Sequence, residues 1–385
     1  MTMPLRVLFV VPHPIEGPSS RFRVYQFVED LRAAGVQVEV SPFITSAQTR
    51  AIYGPGALAA KVAATLQGAL RRLLDILRAG RFDIVYVLRE AFPFGPPWVE
   101  RALRASAGRL VFDFDDAIYR PSLAYRNPLD RLRDFDKPRQ LIRMAAHVVV
   151  GSEYLRQYAL RHAPRPEQVT VLPTVVDTEV YRPLRDAGRG AACAACAACA
   201  APAGSGITLG WIGTPRGSSY LRELVDVIAG LVAVAPGLRC RFVGAEPFDT
   251  RGLPITFDSW RLQDEVADLQ SFDIGLMPLT DDEETRGKCG FKLIQYMAVG
   301  IPAVCSPVGA NLDIVQPGET GLLAATPQEW AESLRRLVLD PALRDRLGRR
   351  GRELAEQRYS RRVVAPRLLA VLRDVGRAAP ARAAA

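Results

Sequence analysis

GKCGFKLIQYMAVGIPAVCS, residues 287–306, holds two of the four lysines in a chain whose Lys and Arg total 50. The others are Lys61 and Lys137; arginine is otherwise the default cation. An apolar run, DIGLMPL, precedes the stretch and reads as a buried strand. A polar loop follows, then a helix that opens near Gly290, runs FKLIQYMAV, and stops at Gly300 with Pro302 beyond it. The unpaired N–H groups and dipole of a helix start form an anion site, and Gly290 lets a ligand approach without a Cβ in the way. Lys292 and Gln295 are three apart and share a face, while Lys288 lies two residues before Gly290. Lysine is a compact point charge on a flexible stem, suited to phosphate. The two lysines therefore read as a bracket for a diphosphate. A solvated loop lysine plus a helix-surface lysine fits the same spacing; the rarity of lysine here favours the anion reading.

Outward from this stretch, strand and helix signals alternate. RVLFVV (6–11) and VQVEVSPF read as strands, with a helix near 20–34 between them closed by Gly35. FDIVYVLRE, RLVFDFD, HVVVGS and VTVLPT continue the pattern, with Ser152 placed to cap a helix. Residues 57–79 form a long basic amphipathic helix. Composition shifts at 183–206, which is mostly Gly, Ala, Cys and Pro with few large apolar side chains, and reads as a linker. Alternation resumes from ITLGWIG. Strands alternating with helices give doubly wound parallel sheets, whose ligands bind at strand carboxyl ends. The expected organisation is a domain over 1–182, the linker, a second domain over 207–360, and a helix over 361–378 that returns to the first domain. The tail 379–385 reads as disordered. Two such domains would face a central cleft.

The 385 residues are 49% apolar and 24% charged, a soluble globular composition. No apolar run reaches the ~20 residues of a membrane span. VLFVV is too short for a signal-peptide core, so the expected compartment is the cytoplasm. The net charge of +9 suggests an anionic partner. No zinc-finger, RRM or basic-zipper pattern occurs, which argues against nucleic acid. Cys193, Cys196 and Cys199 sit in a perfect Ala-Ala-Cys repeat without a nearby His or fourth Cys; low complexity explains them better than a metal. The loop after the first strand, PHPIEGPSS, lacks the G-x-G-x-x-G of a nicotinamide dehydrogenase.

The run KCGFKLIQYMAVGIPAVCSPVGANLDIVQPGETGLL resembles the donor-site block of GT-B fold, family 4 nucleotide-sugar glycosyltransferases. GWIGTPRGSSYL resembles the first turn of their C-terminal domain. VVVGSEYL and VTVLPTVVDTEVYRP resemble the end of their N-terminal domain, and FDFDDAIY an acidic motif of one subgroup. The likeness covers most of 5–362 apart from the linker. It implies an α/β GT-B fold and a nucleotide-diphosphate sugar as co-substrate, with no cofactor and no metal. It implies that Gly290, Phe291 and Lys292 meet the donor diphosphate, with Gly213 and Thr214 approaching from the other side and Arg216 adding charge. Gln295 stands where many relatives carry a ribose-binding glutamate. Gly287 stands where many carry the first glutamate of an E-x7-E pattern, tied to orientation of the sugar, which Glu283 or Glu284 would have to replace.

Toward the acceptor, Asp115 and Asp116 end the strand RLVFDFD. Carboxylates there would accept a hydroxyl hydrogen bond or steady charge on the sugar ring; a cap plus a salt bridge to Arg120 or a neighbour is the plainer alternative. Arg89 and Glu90 end FDIVYVLRE and read as ligand contacts or an ion pair. His13 and Arg21 lie in and after the first loop, suited to acceptor contact. By resemblance the reaction is sugar transfer with retention to a glycan, lipid-linked or small-molecule hydroxyl, Lys292, Asp115 and Asp116 being the catalytic candidates. An epimerase of the same fold or a non-catalytic binding protein are the alternatives. LRRLLDILR puts Arg71, Arg72 and Arg78 beside an apolar face; packing on the first sheet explains the helix, and contact with an anionic membrane is the other reading.

Overall fold

The computed structural model describes residues 4–53, 58–121, 128–184 and 206–377. The Cys193, Cys196, Cys199 repeat, most of the expected linker and the tail 379–385 lie outside them. The chain divides into two compact units: 1–175 with 287–289 and 361–385, and 176–286 with 290–360.

The first unit is built on six parallel strands: β1 (Arg6–Val11), β2 (Gln37–Pro42), β3 (Ile84–Leu88), β4 (Leu110–Phe114), β5 (His147–Val150) and β6 (Val169–Val171). Their order is β2-β1-β3-β4-β5-β6, with Val7 opposite both Val38 and Ile84. Val7 to Val11 and Ile84 to Leu88 are buried without interruption, because helices cover both sheet faces. Those helices are α1 (Pro18–Arg23), α2 (Val28–Ala33), α3 (Ser46–Tyr53), α4 (Leu58–Arg78), α5 (Trp98–Ala107), α6 (Lys137–Met144) and α7 (Glu153–Leu160). The single helix expected near 20–34 is broken into α1, a 3-10 turn and α2. Ser152 does cap α7, its Oγ accepting from the Leu155 N–H at 3.3 Å. Inside the core, the Arg23 guanidinium donates to both Asp113 oxygens at 2.6 and 2.9 Å and to the Leu172 carbonyl at 2.8 Å. The Tyr86 hydroxyl donates to the same carboxylate at 2.8 Å. This pairing is what makes the burial of both charges tolerable.

Helix α4 packs the opposite way round from its reading in sequence. Its buried residues are Ala64, Gly68, Arg72 and Asp75. Gly68 lets the helix close on Phe43, whose Cζ would lie 2.6 Å from an added Cβ. Arg72 donates inward to the carbonyls of Val11 (2.9 Å) and Ala91 (2.7 Å) and pairs with Asp75 at 2.8 Å. The leucines face out.

The second unit has its own parallel sheet: β7 (Thr208–Ile212), β8 (Arg239–Val243), β9 (Ile255–Asp258), β10 (Ile274–Met277), β11 (Ala303–Cys305) and β12 (Leu322–Leu323). Its helices are α8 (Val225–Val234), α9 (Glu265–Gln270), α10 (Glu283–Arg286), α11 (Phe291–Ala298), α12 (Asn311–Ile314), α13 (Pro327–Leu339) and α14 (Pro341–Arg358). The strand order is β12-β11-β10-β7-β8-β9. A last helix, α15 (Arg361–Arg377), belongs to the first unit and packs on α2 and β3.

Candidate functional site

In the second sheet β7 lies beside β10, with Gly210 opposite Gly275. The chain winds from β7 toward β9 on one side and from β10 toward β12 on the other. The loops leaving the carboxyl ends of these two strands therefore diverge, and a crevice opens where the winding reverses.

Both candidate motifs reach this border. The β7 loop begins Gly213-Thr214 and enters a 3-10 turn over Pro215–Leu224. The β10 loop ends at Gly290, whose φ of +61° is the left-handed conformation that glycine adopts without strain. Gly290 is the N-cap residue of α11. Lys292 then extends back across Gly213: a Cβ on Gly213 would lie 2.8 Å from Lys292 Cε and 2.5 Å from Trp211 Cη2. The ammonium stands 5.2 Å from the Trp211 ring centroid, a cation–π distance. Thr214 and Arg216 are exposed beside it and Phe291 is half-buried. Glu283 opens α10 and is exposed.

Gln295 faces inward on α11. Its Nε2 donates to Glu265 Oε1 at 3.0 Å. The same carboxylate accepts from Trp260 Nε1 at 2.8 Å and from the Tyr181 hydroxyl. Sequence reasoning had not marked Glu265 or Tyr181. Glu265 lies 30 positions from Gln295 in an ordinary amphipathic segment, so no local spacing could have joined them.

Residues 287–289 cluster with the first unit, so Lys288 and Lys292 fall in different units. Gly287 has a clear steric reason: a Cβ there would lie 2.4 Å from that of Ala117. No side chain fits, a glutamate included. Cys289 is buried and its thiol donates to the Asp115 carbonyl at 3.0 Å; burial, then the Asp115 charge, pushes its pKa up.

In the first sheet the winding reverses between β1 and β3. The loops beyond β1, β3 and β4 carry His13, Arg89 with Glu90, and Asp115 with Asp116. Arg89 adopts φ +58°, rare for a side-chain-bearing residue. Its Nε donates to Asp115 at 2.6 Å and its Nη2 reaches Asp116 at 3.5 Å. Burial pushes the Asp115 carboxyl up, but the Arg89 and Arg23 charges outweigh it and hold the group below the usual range. The expected salt bridge of this acidic pair is thus made with Arg89. Glu90 instead pairs with Arg133 at 3.1 Å. His13 is depressed to about 4 by burial and the nearby Arg89 charge, so it is neutral at pH 7. Arg21 is buried, its guanidinium 4.4 Å from the Phe22 ring centroid. Among the described residues, no group of three or more His, Cys, Asp or Glu is placed to hold a metal ion.

Sequence comparison adds the family. Residues 22–180 match the model described as Glycosyltransferase Family 4, and residues 206–340 the model described as Glycosyl transferases group 1. The chain belongs to the group 1 / family 4 glycosyltransferases. A D-inositol 3-phosphate glycosyltransferase of Saccharomonospora viridis is 28% identical over 258 residues. That match covers 61% of this chain and 57% of the relative, little more than half its length. Among solved structures, Anabaena Alr3699/HepE in complex with UDP-glucose superposes with TM-score 0.65 at 16% identity, covering 96% of this chain and all of that one. Sucrose-phosphate synthase of Thermosynechococcus elongatus gives 0.68 at 18% identity, covering 96% and 99%. The fold of this family 4 member is the two-domain α/β GT-B fold.

Proposed function

We propose that this protein moves a sugar from a nucleoside-diphosphate sugar to a hydroxyl of a glycan, lipid-linked or small-molecule acceptor, with retention at the anomeric carbon. The observation that carries the reading is Lys292 laid across Gly213 at the border of β7 and β10. There the α11 N-terminus, the Gly213 turn and an ammonium converge where a pyrophosphate would sit. UDP-glucose in the Anabaena relative supports a donor of this chemical class.

As the glycosidic bond breaks, negative charge grows on the leaving diphosphate. The helix N–H groups and Lys292 stabilise that charge, with no metal required of the protein. The two loops of the first unit that carry Arg89 (after β3) and Asp115 with Asp116 (after β4) receive the acceptor. Asp115, kept ionised by Arg89, accepts a hydrogen bond from a sugar hydroxyl or steadies positive charge on the ring. His13, neutral beside this pair, completes the polar edge.

A panel of UDP-, GDP- and TDP-sugars tests the reading. Slow release of one free nucleoside diphosphate, lost in Lys292→Ala, is the expected result. An epimerised sugar nucleotide as product would point instead to an epimerase of this fold. Calorimetry that finds no heat with any donor or free nucleotide would rule the proposal out.

A further inference from the structure

Among the described residues of the first unit, most of the exposed large apolar side chains gather on the outer face of α4. Val62, Leu66, Leu70, Leu73, Leu74 and Leu77 are each more than half exposed. Their spacings of four, four, three, one and three residues keep them on one side of a helix. From Val62 to Leu77 the stripe runs roughly 22 Å. Contiguous exposed apolar surface of this kind marks an interaction site. Core demand cannot explain it, because the inner face is already filled by Ala64, Gly68, Arg72 and Asp75.

The charges that α4 itself turns outward are all basic. The sole acidic residue of α4 is Asp75, fully buried against Arg72. Lys61 is exposed near the amino end and Arg81 just past the carboxyl end. An open cavity of about 470 Å³ lies beside Leu74 and Leu77 and is also lined by Arg71, Arg78 and Arg81, with Asp75 at its floor. Arg78 is partly neutralised by Asp75 and Glu39, and Arg71 donates to the Pro42 and Phe43 carbonyls. Arginines thus ring the cavity directly beside exposed leucines.

We propose that α4 lies in the plane of an anionic phospholipid bilayer, its leucine stripe sunk among the acyl chains and the cavity holding a lipid phosphate. Among the described residues no helix is long and apolar enough to cross a membrane, and a helix with one apolar face lies along the interface instead. The favoured occupant follows from charge. A second copy paired on this stripe would bring Arg81 against Arg81 when parallel and Lys61 against Arg81 when antiparallel. An anionic headgroup layer neutralises both ends, and the chain's net charge of +9 has the right sign for it. Docking of this kind stands whether or not the proposed sugar transfer is correct.

Flotation of the full chain with vesicles tests it. Phosphatidylcholine vesicles containing phosphatidylglycerol should carry the protein, and high salt should weaken binding without abolishing it, since acyl insertion is not screened. Leu66→Ser, Leu70→Ser and Leu73→Ser combined should lower the partition coefficient at least about tenfold, with unchanged far-ultraviolet dichroism. Should that variant misfold, hydrogen exchange on the unaltered protein decides: residues 58–78 should exchange more slowly on the same vesicles. Absence of flotation, or exchange unchanged by vesicles, would overturn the proposal. So would a stable dimer without lipid that the serine variant dissolves, which would assign the stripe to a second copy.

Discussion

The Lys292 ammonium stands 5.2 Å from the centre of the Trp211 ring, and its stem passes over Gly213. An aromatic face holds a cation weakly, at about 0.5–2 kcal/mol. In the proposed reaction a pyrophosphate would attract the same ammonium far more strongly than the indole does.

This arrangement predicts that Lys292→Ala lowers turnover roughly a hundredfold, the usual loss on removing one charge-stabilising donor, or about 3 kcal/mol. Thermal unfolding should barely move. Nucleoside diphosphate should also change the Trp211 emission of the parent protein, by drawing the cation away. Steady-state kinetics and fluorescence titration against Trp211→Phe check both statements; undiminished turnover would remove Lys292 from the mechanism.

Gly213→Ala would place a Cβ 2.5 Å from a buried indole and 2.8 Å from Lys292 Cε. Lysine can swing away, whereas Trp211, 1% exposed, cannot. Stability should fall by about 1–3 kcal/mol, the range for overpacking, and donor affinity should drop because the ammonium is displaced. Denaturant melts combined with calorimetry separate the two effects.

Asp113→Asn should destabilise the first unit by about 3–5 kcal/mol, since it leaves the Arg23 guanidinium buried without its counter-charge. Replacing Arg23 by Met together with Asp113 by Asn should recover part of this loss. Equilibrium urea unfolding of the single and double variants measures the coupling; additive losses would contradict a paired role.

His13 gives a pH dependence with a defined sign. Its folded pKa of about 4 lies below the ordinary 6.5, so between these values the unfolded chain binds a proton that the folded one refuses. Stability is therefore full above pH 6.5 and declines as pH falls toward 4, by roughly 2–3 kcal/mol. Asp115, also depressed, acts only below its ordinary 3.8. Melting curves between pH 4 and 7 should slope less for His13→Asn.

How far residues announce their roles varied with the range of the interaction. Alternating apolar runs and capping residues exposed the two parallel sheets, because strand burial is written in consecutive side chains. The helix start at Gly290 was also legible, since it obeys a local rule, and the resemblance marked the Gly213 turn. The rarity of lysine was a blunter guide than it promised: Lys137 is buried and donates to the Phe92 carbonyl at 2.7 Å. Long-range pairings were hidden. The Glu265 carboxylate that holds Gln295, and the Arg89 that holds Asp115, are set by topology rather than by spacing. Helix α4 misled for a different reason. Its periodicity located two faces, but hydropathy assigns the leucines inward, and only Gly68 against Phe43 with the Val11 and Ala91 carbonyls explains why Arg72 took that place.

The return of α15 to the first unit has a consequence for synthesis on the ribosome. Val364, Leu368, Val371 and Leu372 supply apolar cover to strands and helices made some three hundred residues earlier. The portion translated first is thus the portion completed last, and it must wait, partly uncovered, while the later unit emerges and folds. Any truncation that spares the whole of 176–360 yet removes the final helix would leave the nascent amino-terminal half a ward of chaperones.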